Sequence, residues 1–295
     1  HVTAPTHQAV GQTQIRKIMS QGCYIVTGAG GSIGYAIAEE LARQGKWVVM
    51  ACRNLQKDTP LRDRLNTLYN GRVSIMQLNL ASLDSITAFA RRIHDDGIPV
   101  KALINNAGVM CKHFSLTSDG YETTIGVNFV GTYLLTRLLL PAMTQGSNIV
   151  FTTSMTRHIG SVNKDFFDTA AAHYARFKYY SRSKLAVTLL TAYMANRLSE
   201  RGIRVNATDP GVVNSNMIHM DAWFDPLADH LFRPLISTPA QGAIGAVAAA
   251  TTTDVTQAIY KRSKHTPIPR NIRQHPYLTW LIDETNRRLA PWLQQ

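Results

Sequence analysis

The segment Tyr180-Ser181-Arg182-Ser183-Lys184 sets a phenol and an ammonium four residues apart, a spacing that puts both side chains on one face of a helix. A cation beside a phenol stabilises phenolate and draws the pKa down from about 10, which is what a general acid–base needs. Spacing alone does not decide the matter, because Tyr174-Ala175-Arg176-Phe177-Lys178 repeats it. The Tyr180–Lys184 pair is preferred because Ser183-Lys184-Leu185-Ala186 runs directly into an apolar-periodic helix with Leu185, Leu189 and Leu190 facing inward, whereas Tyr174 reads as loop. Upstream, Thr152-Thr153-Ser154 closes an apolar run. A hydroxyl there can hydrogen-bond a carbonyl and the alkoxide-like charge that develops on it; a strand-end cap is the other reading of Ser154.

A second group of residues suits an anionic ligand. Thr27-Gly28-Ala29-Gly30-Gly31-Ser32-Ile33-Gly34 follows a short apolar run and opens a helical pattern. Glycines let the backbone turn sharply and approach a pyrophosphate, and the helix amino terminus supplies N–H donors and positive dipole. A carboxylate about 20 residues beyond the first glycine would grip the ribose 2′-hydroxyl of NAD. The corresponding stretch, Val48-Val49-Met50-Ala51-Cys52-Arg53-Asn54, has no acid. Arg53 stands where a planar guanidinium can pair with a 2′-phosphate, so NADP(H) is favoured over NAD(H). A solvated loop residue is the plainer reading of Arg53.

The elements that must position these groups alternate along the chain. Short β-branched-rich runs at Cys23–Thr27, Trp47–Ala51, Val73–Leu78, Ala102–Asn105, Asn148–Thr153 and Ile203–Thr208 are separated by helical patterns near 33–45, 61–69, 83–95, 119–143 and 181–201. That alternation predicts an α/β fold: one Rossmann-type, doubly wound parallel sheet with helices on both faces. Residues 1–20 are polar and aperiodic and read as a tail, and 21–295 as a single domain. Two further helices are expected, from Thr238 to about Thr251 and from about Tyr277 to Leu289. Residues 212–236 are rich in Met, His, Trp, Phe and Pro without a clean period. Lying after the sixth strand, they are placed to cover a substrate at the carboxyl edge of the sheet; an ordinary surface loop is the alternative.

Composition excludes other classes. With 295 residues, 45% apolar and 17% charged, the chain can bury a large core. Three cysteines (Cys23, Cys52, Cys111) are too few for a disulfide framework and match no metal spacing. They point to a reducing, cytoplasmic setting. No uninterrupted apolar run reaches the roughly 18 residues of a membrane span, so no transmembrane segment is expected, and the first 25 residues carry no signal-peptide pattern. The net charge of +12 comes from scattered bases without a nucleic-acid motif, so no specific nucleic-acid partner is expected.

Taken in order, the glycine-rich turn, Asn105-Asn106-Ala107-Gly108, Ser154, Tyr180-x-x-x-Lys184 and Pro210-Gly211 resemble the short-chain dehydrogenase/reductase family over about residues 22 to 290. The resemblance implies that Ser154 polarises a carbonyl, Tyr180 exchanges a proton, and Lys184 tunes Tyr180 and holds the nicotinamide ribose. Asn128 matches the family's helix asparagine and implies a water-linked proton relay behind the lysine. Cofactor contacts are implied for Gly28, Gly30, Ser32, Ile33, Gly34, Arg53, Asn54, Asn79, Leu80, Asn106, Ala107, Gly108, Tyr180, Lys184, Pro210, Gly211, Val213 and Ser215. Ser32 departs from the family's middle glycine, so the turn is expected to re-form around Gly30-Gly31. Asn79 replaces an aspartate that reads the adenine amino group, and its amide oxygen can accept the same bond. Ser215 keeps the hydroxyl of a threonine that binds the nicotinamide amide.

A narrower likeness, in Ala51-Cys52-Arg53-Asn54, Ser118-Asp119-Gly120-Tyr121-Glu122 and the 26-residue interval from Ser154 to Tyr180, is to the retinol-dehydrogenase-like branch. It implies an apolar carbonyl or alcohol substrate of steroid, retinoid or lipid type. Met217, Met220, Trp223, Phe224, Leu227 and Phe232 could form its pocket wall or pack as core, with His158, Met110 and Phe114 at the border. A homodimer is also implied, through helices beginning near Asp119 and Ser181; Leu134, Leu135 and Leu138 suit such packing or face the sheet. Two other readings use the same fold: a catalytically silent NADP(H)-binding regulatory or scaffold protein, and a sugar-nucleotide epimerase or dehydratase. The retained Ser154, Tyr180 and Lys184 argue against the first. The roughly 85 residues after Pro210 argue against the second.

Overall fold

The computed structural model describes residues 22–70, 72–168, 171–211 and 238–294. The expected tail and the whole of the 212–236 segment lie outside them. Strands β1 (Cys23–Thr27), β2 (Val48–Cys52), β3 (Val73–Gln77), β4 (Val100–Asn105), β5 (Asn148–Thr152), β6 (Arg204–Thr208), β7 (Ala258–Lys261) and β8 (Lys264–Pro267) form one sheet in the order β3-β2-β1-β4-β5-β6-β7-β8. All neighbours are parallel except β7 and β8. Every residue of β1 and β2 is buried, as a sheet covered on both faces requires, and this is why their sequences read as continuous apolar runs. The order reverses direction between β1 and β4, which opens a crevice beyond their carboxyl ends.

Helices α1 (Ser32–Arg43), α2 (Leu55–Leu68) and α6 (Pro239–Thr251) cover one face, packing Ile37, Leu41, Leu65, Ala246 and Ala250 onto β1, β2 and β4. Helices α3 (Leu83–Asp95), α4 (Thr123–Ala142), α5 (Arg176–Leu198) and α7 (Leu278–Leu293) cover the other, with Ile86, Phe89, Phe129, Leu189 and Leu281 in one continuous core. The expected helix 61–69 begins six residues earlier, at Leu55: Asn54 caps it, accepting from Lys57 N–H at 3.0 Å, and the helix continues through Pro60, which has no N–H to offer the Gln56 carbonyl. Helix α6 starts where expected because Thr238 and Gln241 form a reciprocal capping box.

Three features were not foreseen. The β7–β8 hairpin forms one edge of the sheet, and Arg262 takes the left-handed conformation (φ 56°) in its turn without the usual Gly or Asn signal. Within α4, residues Gly126–Gly131 form a π-turn, and Gly131 passes so close to the Leu80 carbonyl that a side chain could not fit. Helix α7 packs on α4 and α5, with Asn286 Oδ1 accepting from the Tyr133 hydroxyl at 2.6 Å and from Arg137 at 2.8 Å. Leu134 and Leu135 are therefore inside the subunit, and Leu138 is largely covered. Among the described residues one helix is long and apolar enough, by length and composition alone, to cross a membrane. Thr123–Ala142 is 20 residues long with mean hydropathy 1.3 despite Arg137 and Pro141, although 72% of that window is buried within the fold.

Candidate active site

The crevice at the β1/β4 reversal is lined on one side by backbone. Gly28 adopts φ 65°, and a Cβ there would stand 3.0 Å from Ala107. At Gly34 a Cβ would overlap the Gly28 carbonyl and lie 2.7 Å from Asn106 Nδ2. The glycine-rich turn and the Asn106-Ala107-Gly108 loop are thus in direct contact. Two bonds tie them: Thr27 Oγ1 accepts from Ala107 N–H at 3.0 Å, and Asn106 Nδ2 donates to the Thr27 carbonyl at 3.0 Å. Ser32 does not disturb the turn. It is the first residue of α1, exposed and with ordinary φ, while Gly31 N–H closes the turn onto the Gly28 carbonyl at 3.0 Å.

The same surface passes the test for an anionic dinucleotide. The N-cap of α1, Gly31, contributes no side-chain bond and the first turn contains no acid, so the N–H groups of Ser32, Ile33 and Gly34 face the crevice without a capping side chain. Arg53 is exposed directly after β2. Asn54 is engaged as the cap of α2, its side-chain oxygen accepting one bond from Lys57 N–H and keeping a second lone pair. Asn79 Oδ1 accepts from Ala81 N–H at 3.1 Å, which leaves one lone pair for a further donor. Leu80 is buried. Pro210 and Gly211 leave β6 at the crevice, Gly211 N–H donating to Asp209 Oδ1 at 3.0 Å. Val213 and Ser215 lie outside the described residues.

The other side of the crevice is built from side chains. Helix α5 begins at Arg176, so Tyr180 sits in its second turn rather than at its start, and Lys184 follows one turn later. Ser154 lies two residues beyond β5 and caps the 3₁₀ turn Met155–Ile159, accepting from Thr156 N–H at 3.3 Å. Ser154 is thus a cap at the strand end, and its hydroxyl also bonds the Tyr180 phenol. Lys184, 4% exposed, donates to the Thr152 carbonyl at 2.9 Å, with Nζ 5.4 Å from the Tyr180 ring centre. Burial pulls its pKa down to about 8, against the Asp209 carboxylate, which favours the charge.

The expected fall in the tyrosine pKa is corrected. Burial pushes Tyr180 up to about 12, opposed by the Ser154 hydrogen bond and reinforced by Asp209. The lysine ammonium points at the Thr152 carbonyl and lies over the ring, so desolvation of the phenolate outweighs its attraction.

Asn128 is held in the π-turn of α4. Its Oδ1 accepts from Val109 N–H at 2.7 Å, and its Nδ2 donates to the Val109 carbonyl at 2.9 Å and to Ser183 Oγ at 3.0 Å. It clamps the β4 loop to α5, and Gly108 between them leaves room for Lys184 Nζ and Asn128 Oδ1, 3.4 and 3.5 Å from where its Cβ would be. Tyr174, by contrast, donates to the Cys111 carbonyl at 2.6 Å and packs on Tyr179 and edge-on to Phe114; Lys178 is exposed. That second Tyr-x-x-x-Lys pair has a structural role. His158 is exposed and Met110 half-buried.

One pair of functional candidates escaped the sequence reading. Arg157 Nη1 donates to Asp209 Oδ2 at 3.0 Å and to the Ser154 carbonyl at 2.9 Å, with side chains only 13% and 5% exposed. It locks the Ser154 turn to the Asp209-Pro210-Gly211 exit. The available signal was a carboxylate at the end of a buried strand with an arginine three residues after a candidate catalytic serine.

A profile of the short chain dehydrogenase family matches residues 23–222. Among curated relatives, polyprenol dehydrogenase of Mus musculus is 36% identical over 237 residues, spanning 77% of this chain and 70% of that protein. Retinol dehydrogenase 11 of Homo sapiens is 35% identical over 250 residues, spanning 78% and 76%. A crystal structure of an uncharacterized protein from Mycobacterium Paratuberculosis superposes with TM-score 0.71 at 28% identity, covering 92% of this chain and 94% of that one. A short chain dehydrogenase from Burkholderia cenocepacia J2315, solved in complex with NADP, shares the fold with TM-score 0.63 at 22% identity, covering 80% and 93%. The chain belongs to the short-chain dehydrogenase family of oxidoreductases, and its fold is that family's nucleotide-binding Rossmann fold. The cytoplasmic setting expected from cysteine usage is overturned: these relatives are named for retinol and polyprenol, alcohols that reside in lipid rather than water. Cysteine count reports redox state, and many membrane-bound proteins share it.

Proposed function

We propose that this chain is an NADP(H)-dependent oxidoreductase that acts on the carbonyl or alcohol group of apolar compounds of steroid, retinoid or lipid type, and that it runs as a reductase. The observation that carries the reading is the meeting of Ser154, Tyr180 and Lys184 at the carboxyl edge of the sheet, beside a glycine-lined crevice. Pyrophosphate would be held by the N–H groups of Ser32, Ile33 and Gly34, and a 2′-phosphate by Arg53. The Asn106-Ala107-Gly108 loop, Pro210 and Gly211 would border the nicotinamide half. A bound nicotinamide would exchange the hydride, which no side chain can do.

This chain's residues supply the rest. The Ser154 hydroxyl donates to the substrate oxygen and stabilises negative charge growing there. Tyr180 Oη holds the proton that this oxygen takes up. Its pKa near 12 keeps it protonated until the oxygen becomes basic, and a protonated phenol is the form that reduction consumes. Lys184 places positive charge beneath the ring, eases proton loss from Oη as the reaction advances, and is positioned to hold the nicotinamide ribose. Asn128 fixes the loop and Ser183 around it and would serve a water-linked proton relay behind the lysine. The substrate class is supported by the names of the relatives, dehydrogenases of retinol and polyprenol. The segment 212–236 is proposed to cover the substrate with Met217, Met220, Trp223, Phe224, Leu227 and Phe232, all outside the described residues.

The test is cofactor consumption with NADPH and NADH in parallel against carbonyl compounds from small aldehydes to steroid ketones and retinal, with Tyr180→Phe protein as the blank. Tyr180-dependent NADPH consumption on the larger apolar compounds is expected. NADPH binding without turnover on any of them would favour the catalytically silent reading.

A further inference from the structure

On the nucleotide side of the crevice, one buried charge has no part in the function just proposed. Asp58, in the first turn of α2, is 6% exposed, and its carboxyl group lies against the Cα of Gly30, so that a Cβ at Gly30 would overlap all three carboxyl atoms. Gly30 has ordinary φ; it is glycine because a carboxylate occupies the side-chain space, and turn geometry makes no such demand. The buried Cys52 thiol, at the end of β2, hydrogen-bonds this carboxylate and meets the backbone N–H groups of Ala29 and Gly30, and burial, together with the Asp58 charge, drives it up to about 12. The remaining carboxylate oxygen, Oδ1, is buried without a hydrogen-bond partner, and among the described residues no cation pairs with Asp58. An unpaired buried carboxylate is costly, and such a group is expected where a ligand completes it.

The ligand chemistry follows from position. Asp58 borders the glycine-rich turn next to β2, the region where a dinucleotide-binding fold receives the adenosine ribose. Arg53 follows Cys52 in the chain and is exposed just past β2. Opposite charges therefore flank one turn. A ribose 2′-hydroxyl can donate to a carboxylate, whereas a 2′-phosphate carries about two negative charges near neutrality and is repelled by it. We propose that Asp58 is a cofactor-specificity residue: its carboxylate accepts the 2′-hydroxyl of an unphosphorylated ribose, opposes a 2′-phosphate, and so narrows the preference for NADP(H) that Arg53 confers. The proposal rests on the dinucleotide-binding reading of the crevice. It supplies from α2 the acceptor that the end of β2 lacks.

The experiment measures dissociation constants of NADPH, NADH, 2′,5′-ADP and 5′-ADP by calorimetry, without turnover, for the wild-type chain, Asp58→Asn and Arg53→Ala. Asp58→Asn is expected to raise the NADPH-over-NADH and 2′,5′-ADP-over-5′-ADP preferences about tenfold at low salt, and less at high salt, as removal of a like charge requires. Arg53→Ala is expected to move both preferences the other way. Unchanged preferences in Asp58→Asn, or equal changes in all four ligands, would overturn the proposal. Preference for NADH in the wild-type chain, with the Asp58→Asn ratio still rising, would uphold Asp58 and sink the NADP(H) assignment. Failure of all four ligands to bind the wild-type chain would sink both. Thermal unfolding without nucleotide checks that Asp58→Asn folds; if it melts early, Asp58→Ser repeats the comparison.

Discussion

The two walls of the crevice are made of different material. The nucleotide wall consists of glycines, backbone N–H groups and a helix terminus, and what matters there is the absence of side chains at Gly28 and Gly34. The chemical wall consists of side chains, each committed to a partner: Lys184 to the Thr152 carbonyl, Asn128 to Val109 and Ser183, Arg157 to Asp209 and the Ser154 carbonyl. A backbone wall binds any ligand of suitable shape and charge, and it fails when atoms are added. A side-chain wall acts on one bond of the substrate, and it fails when atoms are removed. Substitutions on the two walls should therefore separate binding from turnover.

The largest separation is expected at Tyr180. Tyr180→Phe removes only the proton carrier, so kcat should fall at least about a thousandfold while the NADPH dissociation constant stays within about twofold. Tyr174→Phe loses a bond to the Cys111 carbonyl and should cost about 1 kcal/mol of stability with turnover nearly intact. If Tyr174→Phe were the inactive variant, the chemical wall would have been assigned to the wrong pair. Gly34→Ala is the counterpart on the other wall. Its methyl group meets the Gly28 carbonyl and Asn106 Nδ2, so the turn must open, weakening NADPH by about 10- to 100-fold and destabilising the chain by about 1–3 kcal/mol. At saturating NADPH its kcat should remain within a few-fold of wild type; a kcat as low as that of Tyr180→Phe would show that the walls are not separable.

This contrast also explains what could be read in the sequence. The glycine-rich turn was legible because its requirement is local: a residue with φ 65° and a helix start are written in adjacent positions. All six expected strands were found to within two residues, because burial on both faces leaves an uninterrupted apolar pattern, but only three of the seven expected helices were, since helix ends are set by caps and packing. The start of α2 was missed because a cap at Asn54 overrode weak propensity. The β7–β8 hairpin was missed because Arg262 adopts its turn conformation without a residue that favours it. Ser154, Tyr180 and Lys184 were recognisable as types, yet the pKa of Tyr180 was not, because it depends on burial and on Asp209, 29 positions away in the chain. Arg157–Asp209 and Asp58–Gly30 are contacts between distant segments, and no spacing announces them. The cytoplasmic setting failed for a different reason: it was inferred from composition, and composition does not record which lipid or aqueous phase a protein works in.

Lys184 gives a test in which function and stability oppose each other. Its pKa falls from 10.5 unfolded to about 8 folded. The folded chain therefore binds fewer protons than the unfolded chain between those values, and stability rises with pH across this window. Below about pH 8 the buried cation costs the fold on the order of 3 kcal/mol, from 1.36 kcal/mol per pKa unit, partly offset by its bond to the Thr152 carbonyl. Lys184→Met should then be more stable than wild type by about 1–3 kcal/mol at pH 7, with the gain vanishing above about pH 10, while turnover is lost. In the wild-type chain kcat/KM for reduction should fall as pH rises through about 8, and Lys184→Arg should move that limb upward. A limb that stays near 8 in Lys184→Arg would assign it to another group.

The smallest effect should come from Thr27, where a side chain serves the backbone wall. Its Oγ1 accepts from Ala107 N–H at 3.0 Å and lies 3.4 Å from the Ile104 carbonyl, so it fixes the separation of the β1 turn from the β4 loop. Thr27→Val is nearly isosteric and leaves the Ala107 N–H without its partner, which costs about 1 kcal/mol because the crevice admits water to that group. The loop can then relax away from Gly28 by a few tenths of an ångström, and the site for the nicotinamide half widens without any group on the chemical wall being touched. NADPH should bind about three- to fivefold more weakly by calorimetry, 2′,5′-ADP should be unaffected because it ends at the adenosine, and kcat should drop by no more than about twofold. Equal weakening of both ligands would mean that Thr27 supports the whole glycine-rich turn, and the two walls would then share a hinge at the end of β1.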